Sequence, residues 1–264
     1  MKVKLKYGRT LFVGMAFFLI CMFWQAYDNT IPLVLTYKFR MSQTLSGGIM
    51  AIDNILALFM LPLFGKLSDK CHTKLGRRTP FILVGTIVAV ALFALLPYID
   101  SLLYFVITLV AMLIAMAVFR SPAVALMPDI TVKPLRSKAN AIINLMGTIG
   151  GIIALAFGIV FATKEIKNMD DAYMHTNFYY YFLSVSSAML IALVIYLLFV
   201  RENKFAREMQ EQSRALGLDE EITTYESGDE EAESAAQAAG ERKRAEGGLG
   251  VLRFLLGALF LRCC

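Results

Sequence analysis

The sequence predicts an all-α integral membrane protein, a six-helix bundle with a polar cytosolic tail, and three observations predict it. Hydrophobic residues fill 58% of the 264 positions and charged residues 18%, more apolar surface than a water-soluble domain of this size can bury. The apolar residues gather into six runs. Each is long enough for a helix rising about 1.5 Å per residue to cross a hydrocarbon core about 30 Å thick. None of the runs alternates as a strand does, and lipid leaves the backbone only two options, helices and closed barrels.

The first run, Leu11 to Tyr37, follows a basic start with Lys2, Lys4, Lys6 and Arg9. It has the outline of a secretory signal, but no small-x-small cleavage site precedes Tyr27 and Asp28, and five more runs follow, so it is read as helix one. A short loop with Lys38 and Arg40 leads into Leu45 to Leu67. The loop 66–79 then carries Lys66, Lys70, Lys74, Arg77 and Arg78 before Pro80 to Ile99. Leu102 to Met127 returns to a loop with Lys133, Arg136 and Lys138, and Ala139 to Thr163 and Phe178 to Val200 complete the set, joined by a loop with Lys164 and Lys167. Basic residues concentrate on one side of every hairpin. That asymmetry, read with the positive-inside rule, places the N-terminus and the C-terminal tail in the cytosol of a cell membrane protein. It also accounts for the net charge of +5 without a nucleic-acid partner.

Three segments are expected: residues 1–200 as the bundle, 201–248 as a cytosolic linker, and 249–264 as a short apolar C-terminus. The linker is rich in Glu, Ala and Ser, helical at its start and disordered in part, and reads as a solvated tail. The run from Leu249 to Leu261 is interrupted by Arg253. At about 20 Å of helix it is too short to span, and it reads as a seventh helix truncated or shifted in frame.

Ionisable groups inside a span cost several kcal/mol and ask for a reason. Asp28 lies in the first run with Trp24, Gln25, Tyr27 and Asn29 around it, and Gln25, Asp28 and Asn29 share a helix face by their spacing. Asp53 lies in the second run beside Asn54. Both acids stand 12 to 13 residues from the centre of the intervening hairpin near residue 40, which puts them level with each other in one polar layer. A carboxylate at that depth is tolerated where it holds a proton or another cation. The amide, phenol and indole groups around it match sugar hydroxyls and an apolar ring face. Asn144 in the fifth run is a further candidate for this solute and cation site. Each of these residues also has a plainer reading as a helix-packing group. Pro32 frees the carbonyl one turn before it, beside the layer, and Gly147 with Gly151 forms a small-residue pair suited to close helix packing.

Between the second and third runs stands GKLSDKCHTKLGRRTPF, Gly65 to Phe81. It resembles the cytosolic loop signature of the major facilitator superfamily: Gly65, Asp69 four residues on, then Gly76 with Arg77 and Arg78. The run GRRTPF, the spacing from Asp69 to Gly76, and the stretch from Phe119 to Gly151 are similar to the sucrose-proton and glycoside-pentoside-hexuronide:cation symporter branch. The resemblance covers about Tyr7 to Lys204 and implies the N-terminal half of a twelve-helix fold, a sugar or glycoside carried with a proton or sodium ion, and a need for a second six-helix bundle. It implies that Asp69, Arg77, Arg78 and Arg120 form a cytosolic gate and that Asp28 and Asp53 stand where the branch keeps coupling acids. The fourth run has no acid between Leu102 and Met127, which favours the proton.

An enzyme is not expected: the sequence has no H-E-x-x-H or G-x-S-x-G, and Gly65-Lys66 lacks the rest of a phosphate loop. His72 and His175 fall in loops on opposite sides of the bundle, and neither a metal nor a cofactor is expected. The competing functional readings are a non-transporting scaffold or regulatory subunit, which would bind a partner through residues 201–248, and a nonfunctional truncated fragment.

Overall fold

The computed structural model describes residues 6–71, 73, 75–162 and 178–215. His72, Lys74, Lys164, Lys167, His175 and the whole of 216–264, with the apolar run at 249–264, lie outside the described residues. The described residues form seven helices: α1 (Tyr7–Tyr37), α2 (Gln43–Asp69), α3 (Thr79–Leu95), α4 (Leu102–Asp129), α5 (Arg136–Phe157), α6 (Tyr179–Phe199) and α7 (Glu202–Ala215). The first six, with their terminal turns, are long and apolar enough to cross a membrane. No strand occurs among the described residues apart from one isolated bridge, Thr73 to Gly76.

Local chemistry sets the ends. The chain reverses at Arg40 with φ +51, and Ser42 caps α2 by accepting from the Leu45 N–H at 3.4 Å. Pro80 stands in the first turn of α3, where its missing N–H has no helical acceptor to lose. Leu96–Tyr98 and Lys133–Leu135 are single 3₁₀ turns, and α5 closes in a π turn at Gly158–Ala162. Helix α1 begins four residues before the apolar run does, because Arg9 is anchored by hydrogen bonds to the Ile130 and Phe205 carbonyls.

Helix α1 is the hub. It packs on α5 and α6, α3 packs on α4 and α6, and α2 lies chiefly against α4. Phe23, Phe93 and Phe182 join α1, α3 and α6 with ring centroids 5.5 and 4.6 Å apart. Lipid is as apolar as a leucine side chain, so closeness of fit rather than burial from water holds such helices together. The α1–α5 seam shows it: a Cβ at Gly147 would stand 2.7 Å from Cys21 Sγ, and one at Gly150 would stand 2.5 Å from the Phe18 carbonyl oxygen. At Gly151 the nearest atom would be 3.7 Å away. The tight pair is therefore Gly147 with Gly150, and the expected partner Gly151 has room to spare, because the crossing presents the i+3 rather than the i+4 position to α1. Helix α2 is the most exposed, with only Ser46 and Ser68 buried.

The starts of α1, α3, α5 and α7 and the ends of α2, α4 and α6 meet at one end of the bundle, called here the basic end. Helix α7 lies across it. Glu202, Ala206, Met209 and Ser213 are its buried residues, one stripe at helical spacing. Residues 202–215 of the expected linker are thus packed on the bundle rather than solvated, because this stripe and the Glu202 carboxylate find partners there.

Candidate functional site

Two clusters of polar side chains stand out, one at the basic end and one in the middle of the bundle. At the basic end Arg78 is the centre, only 6% exposed. Its guanidinium pairs with Asp69 of α2 and, at 2.8 Å, with Asp129 of α4, and it donates to the Ser68 hydroxyl. Arg77 donates to the Asp69 carbonyl at 2.6 Å. Burial works against the Arg78 charge, but Asp129, Asp69 and Glu202 outweigh it and hold its pKa above the ordinary arginine value.

Glu202 closes the cluster from α7 and is 1% exposed. Its carboxylate accepts from the backbone N–H groups of Arg77 at 2.7 Å, Arg78 at 2.9 Å and Thr79 at 2.8 Å, and from the Thr79 hydroxyl at 2.8 Å. These are the unsatisfied donors at the start of α3, where a negative charge also meets the positive end of the helix dipole. Gly76 makes this approach possible. Its φ is +127, and a Cβ there would run into the Glu202 carboxylate. A second tie joins Arg9 of α1 to α7 through Glu208 at 3.3 Å and through the Phe205 ring, 4.2 Å below the guanidinium. Lys6 pairs with the same Glu208 at 2.6 Å.

The middle cluster holds Trp24, Tyr27 and Asp28 of α1, Asp53 of α2 and Arg120 of α4. Trp24 and Tyr27 meet edge to face at 5.5 Å, and the Arg120 guanidinium lies 5.0 Å over the Trp24 ring. Asp53 is within electrostatic reach of Arg120 and of Asp28. Tyr27 is 1% exposed, and neither its hydroxyl nor the Trp24 indole N–H has a hydrogen-bond partner among the described residues. Asp28, Asn29 and Asn54 are exposed on the bundle's face. The Asn29 amide is occupied by the Gln25 carbonyl at 2.6 Å, while the Gln25 side chain lies against Gly151 of α5. Two acids and one guanidinium at the bundle's face can hold a cation and hydrogen-bond an oxygen-rich solute, and the two unpartnered donors are buried in the same cluster.

Two candidates fall elsewhere than their expected group. Arg120 stands with Trp24 and Asp53, not with Asp69, because it precedes the end of α4 by nine residues, about 13 Å of helix, and the α4 residue that pairs with Arg78 is Asp129. Asn144 is exposed on α5 and lies nearer the basic end than Gln25 does: α5 runs alongside α1 with Gly147 at Cys21 and Gly151 at Gln25. It is about two turns or more below the acids. Sequence reasoning missed Glu202, Asp129 and Arg9. A lone acid directly after the last apolar run, facing a loop of five basic residues, was the available signal for Glu202, and Asp129 closing α4 after Pro128 was the other.

A family model described as Major Facilitator Superfamily matches residues 13–261. No curated protein is similar enough to match the chain.

Proposed function

The chain belongs to the Major Facilitator Superfamily, a family of transporters embedded in lipid with small-molecule substrates, and from that premise we propose that its bundle is one half of a sugar or glycoside:proton symporter. The observation that carries this reading is the middle cluster: the exposed Asp28 and the half-buried Asp53 within electrostatic reach of each other, with the buried, unpartnered Trp24 and Tyr27 donors in the same cluster. The carboxylates receive the cation, and the half-buried indole with the exposed amide of Asn54 receives the solute. A second six-helix bundle supplies the opposite wall, since central sites of this kind lie between two halves. The basic end faces the cytosol, in keeping with the positive-inside bias. There the Asp69, Arg78 and Asp129 contacts, with Arg77 and the α3 start clamped by Glu202, hold the inner side of the bundle shut in one state of an alternating-access cycle.

The test is uptake of a labelled disaccharide into vesicles that contain the chain together with a second bundle, driven by a proton gradient. Asp28→Asn and Asp53→Asn are expected to abolish accumulation against the gradient while leaving downhill flux. Unchanged accumulation in both variants sinks the reading.

A further inference from the structure

At the basic end a half-open cleft of about 330 Å³ lies between the start of α1, the turn joining α4 to α5, and α7, near the lower end of the size range of ligand pockets. Lys6, Arg9 and Thr10 form one wall, residues 130–132 another, and Gln212 of α7 a third. Two cations line the cleft and no acid does. Glu208 reaches both cations from outside the lining, at 2.6 Å to Lys6 and 3.3 Å to Arg9, which leaves one positive charge over. Helix α1 also begins here with no side-chain cap among the described residues and no acid in its first turn, so the positive end of its dipole adds to the same excess. Donors are left over as well. Arg9 makes two bonds from Nη2, to the Ile130 and Phe205 carbonyls, and one from Nη1, to Glu208, so these bonds use neither its Nε–H nor its second Nη1–H. The Gln212 amide has no hydrogen-bond partner among the described residues.

We propose that this cleft is a binding site for a phosphate group, carried by a lipid of the adjoining leaflet or free in solution, with Lys6 and Arg9 supplying the charge and Gln212 a neutral donor. Phosphate presents oxygens in several directions, which suits donors that come from separate walls, whereas a carboxylate offers two oxygens in one plane. Both sources reach the cleft, because it lies just before the apolar run of α1 begins. Tyr7 and Leu11 are exposed beside it, and tyrosines sit at the level of lipid headgroups. Glu208 competes with the phosphate for the same two cations. The site is separate from the Arg78 cluster, no member of which lines it, and does not depend on the transport reading.

The test is native mass spectrometry of the full chain in detergent, titrated with phosphatidic acid, with diacylglycerol of the same acyl chains, with inorganic phosphate, and with phosphatidic acid and inorganic phosphate together. Arg9 is left intact, because its bonds to two carbonyls hold α1 to α7 and to the α4–α5 turn. Lys6→Gln is expected to weaken phosphate retention roughly fivefold and Glu208→Gln to strengthen it roughly fivefold, the factor that one charged residue near a lipid surface contributes. Lys66→Gln removes the same charge from an exposed place outside the cleft and is expected to leave retention at the wild-type level. Phosphatidic acid that inorganic phosphate does not displace supports the proposal with a lipid as the ligand. Inorganic phosphate that binds alone or displaces the lipid supports it with free phosphate as the ligand. Diacylglycerol retained as well as phosphatidic acid, equal losses in Lys6→Gln and Lys66→Gln, or retention of neither phosphate probe overturns it.

Discussion

Glu202→Ala is the perturbation with the largest effect expected on the basic end. The carboxylate accepts three backbone N–H groups and the Thr79 hydroxyl in a place that is 1% exposed. Each hydrogen bond to a charged group contributes about 1.5 to 3 kcal/mol, but the freed donors reach water once α7 lifts, so the contributions do not simply add. Removing one partner of a buried charged set costs about 3 to 5 kcal/mol. At the lower end, about 3 kcal/mol, the docked population of α7 relative to the undocked falls roughly a hundredfold. A 14-residue helix is marginal once undocked, so its amides exchange when it lifts. Hydrogen exchange read by mass spectrometry on the full chain in nanodiscs is expected to show the amides of 206–213 exchanging roughly a hundredfold faster. Glu208→Ala is the control. Its ion pairs with Lys6 and Arg9 lie at the surface, where such pairs contribute at most about 1 kcal/mol, or about fivefold. Equal acceleration in the two variants would refute the assignment of Glu202 as the anchor of α7.

Gly76→Ala places a side chain at φ +127 against the Glu202 carboxylate; it is expected to cost about 1 to 2 kcal/mol in backbone strain alone and to accelerate exchange in α7 just as Glu202→Ala does. Gly150→Ala presses a methyl group on the Phe18 carbonyl at 2.5 Å while Gly151→Ala meets nothing closer than 3.7 Å, so thermal denaturation in detergent should fall by about 1 to 3 kcal/mol for the first and stay near wild type for the second. The hydrogen bond from Lys6, ahead of the attraction of Lys6, Arg9 and Lys204, holds the Glu208 pKa below the usual glutamate range. A lowered folded-state pKa gives a contribution present above the unfolded value and lost as pH falls through the folded one, so the Lys6–Glu208 tie is expected to weaken only in acid, and added salt should mimic that loss at neutral pH.

The six spans were legible because their signal is a sum over some twenty residues, and errors at single positions do not disturb it. Their ends were less so: Arg9 carries α1 a turn beyond its apolar run by reaching the Ile130 and Phe205 carbonyls, contacts that join residues more than a hundred positions apart. The same reason hid Glu202, whose partners lie in the loop before α3. The acids of the layer could be expected near each other because a hairpin fixes relative height by counting residues from its turn. Arg120 could not be placed that way, since its expected role came from a motif at the basic end and its actual neighbours, Trp24 and Asp53, are set by where α4 crosses α1 and α2. Gly147 with Gly150 in place of Gly147 with Gly151 is the same lesson on a smaller scale: spacing names the face, and the crossing angle chooses the residue.

The two clusters are carried by the same helices. Helix α1 bears Arg9 and Asp28, α2 bears Asp53 and Asp69, and α4 bears Arg120 and Asp129. A shift of charge in the middle layer therefore acts on three rods whose other halves are pinned at the basic end. In α2 and α4 a proline stands between the clusters, Pro62 and Pro122, and each leaves the ladder without one bond, at the Leu58 and Val118 carbonyls, where bending costs least. The two weak points are tied together, because Ser121 donates to the Leu61 carbonyl at 2.8 Å across the α2–α4 contact, and the absent Cβ of Gly65 leaves space for that hydroxyl. Bending one helix at its proline without the other would break this bond inside the membrane, where no water replaces it. A bend in α2 at its proline is thus tied to one in α4, and Arg78 joins the same two helices beyond those prolines through Asp69 and Asp129.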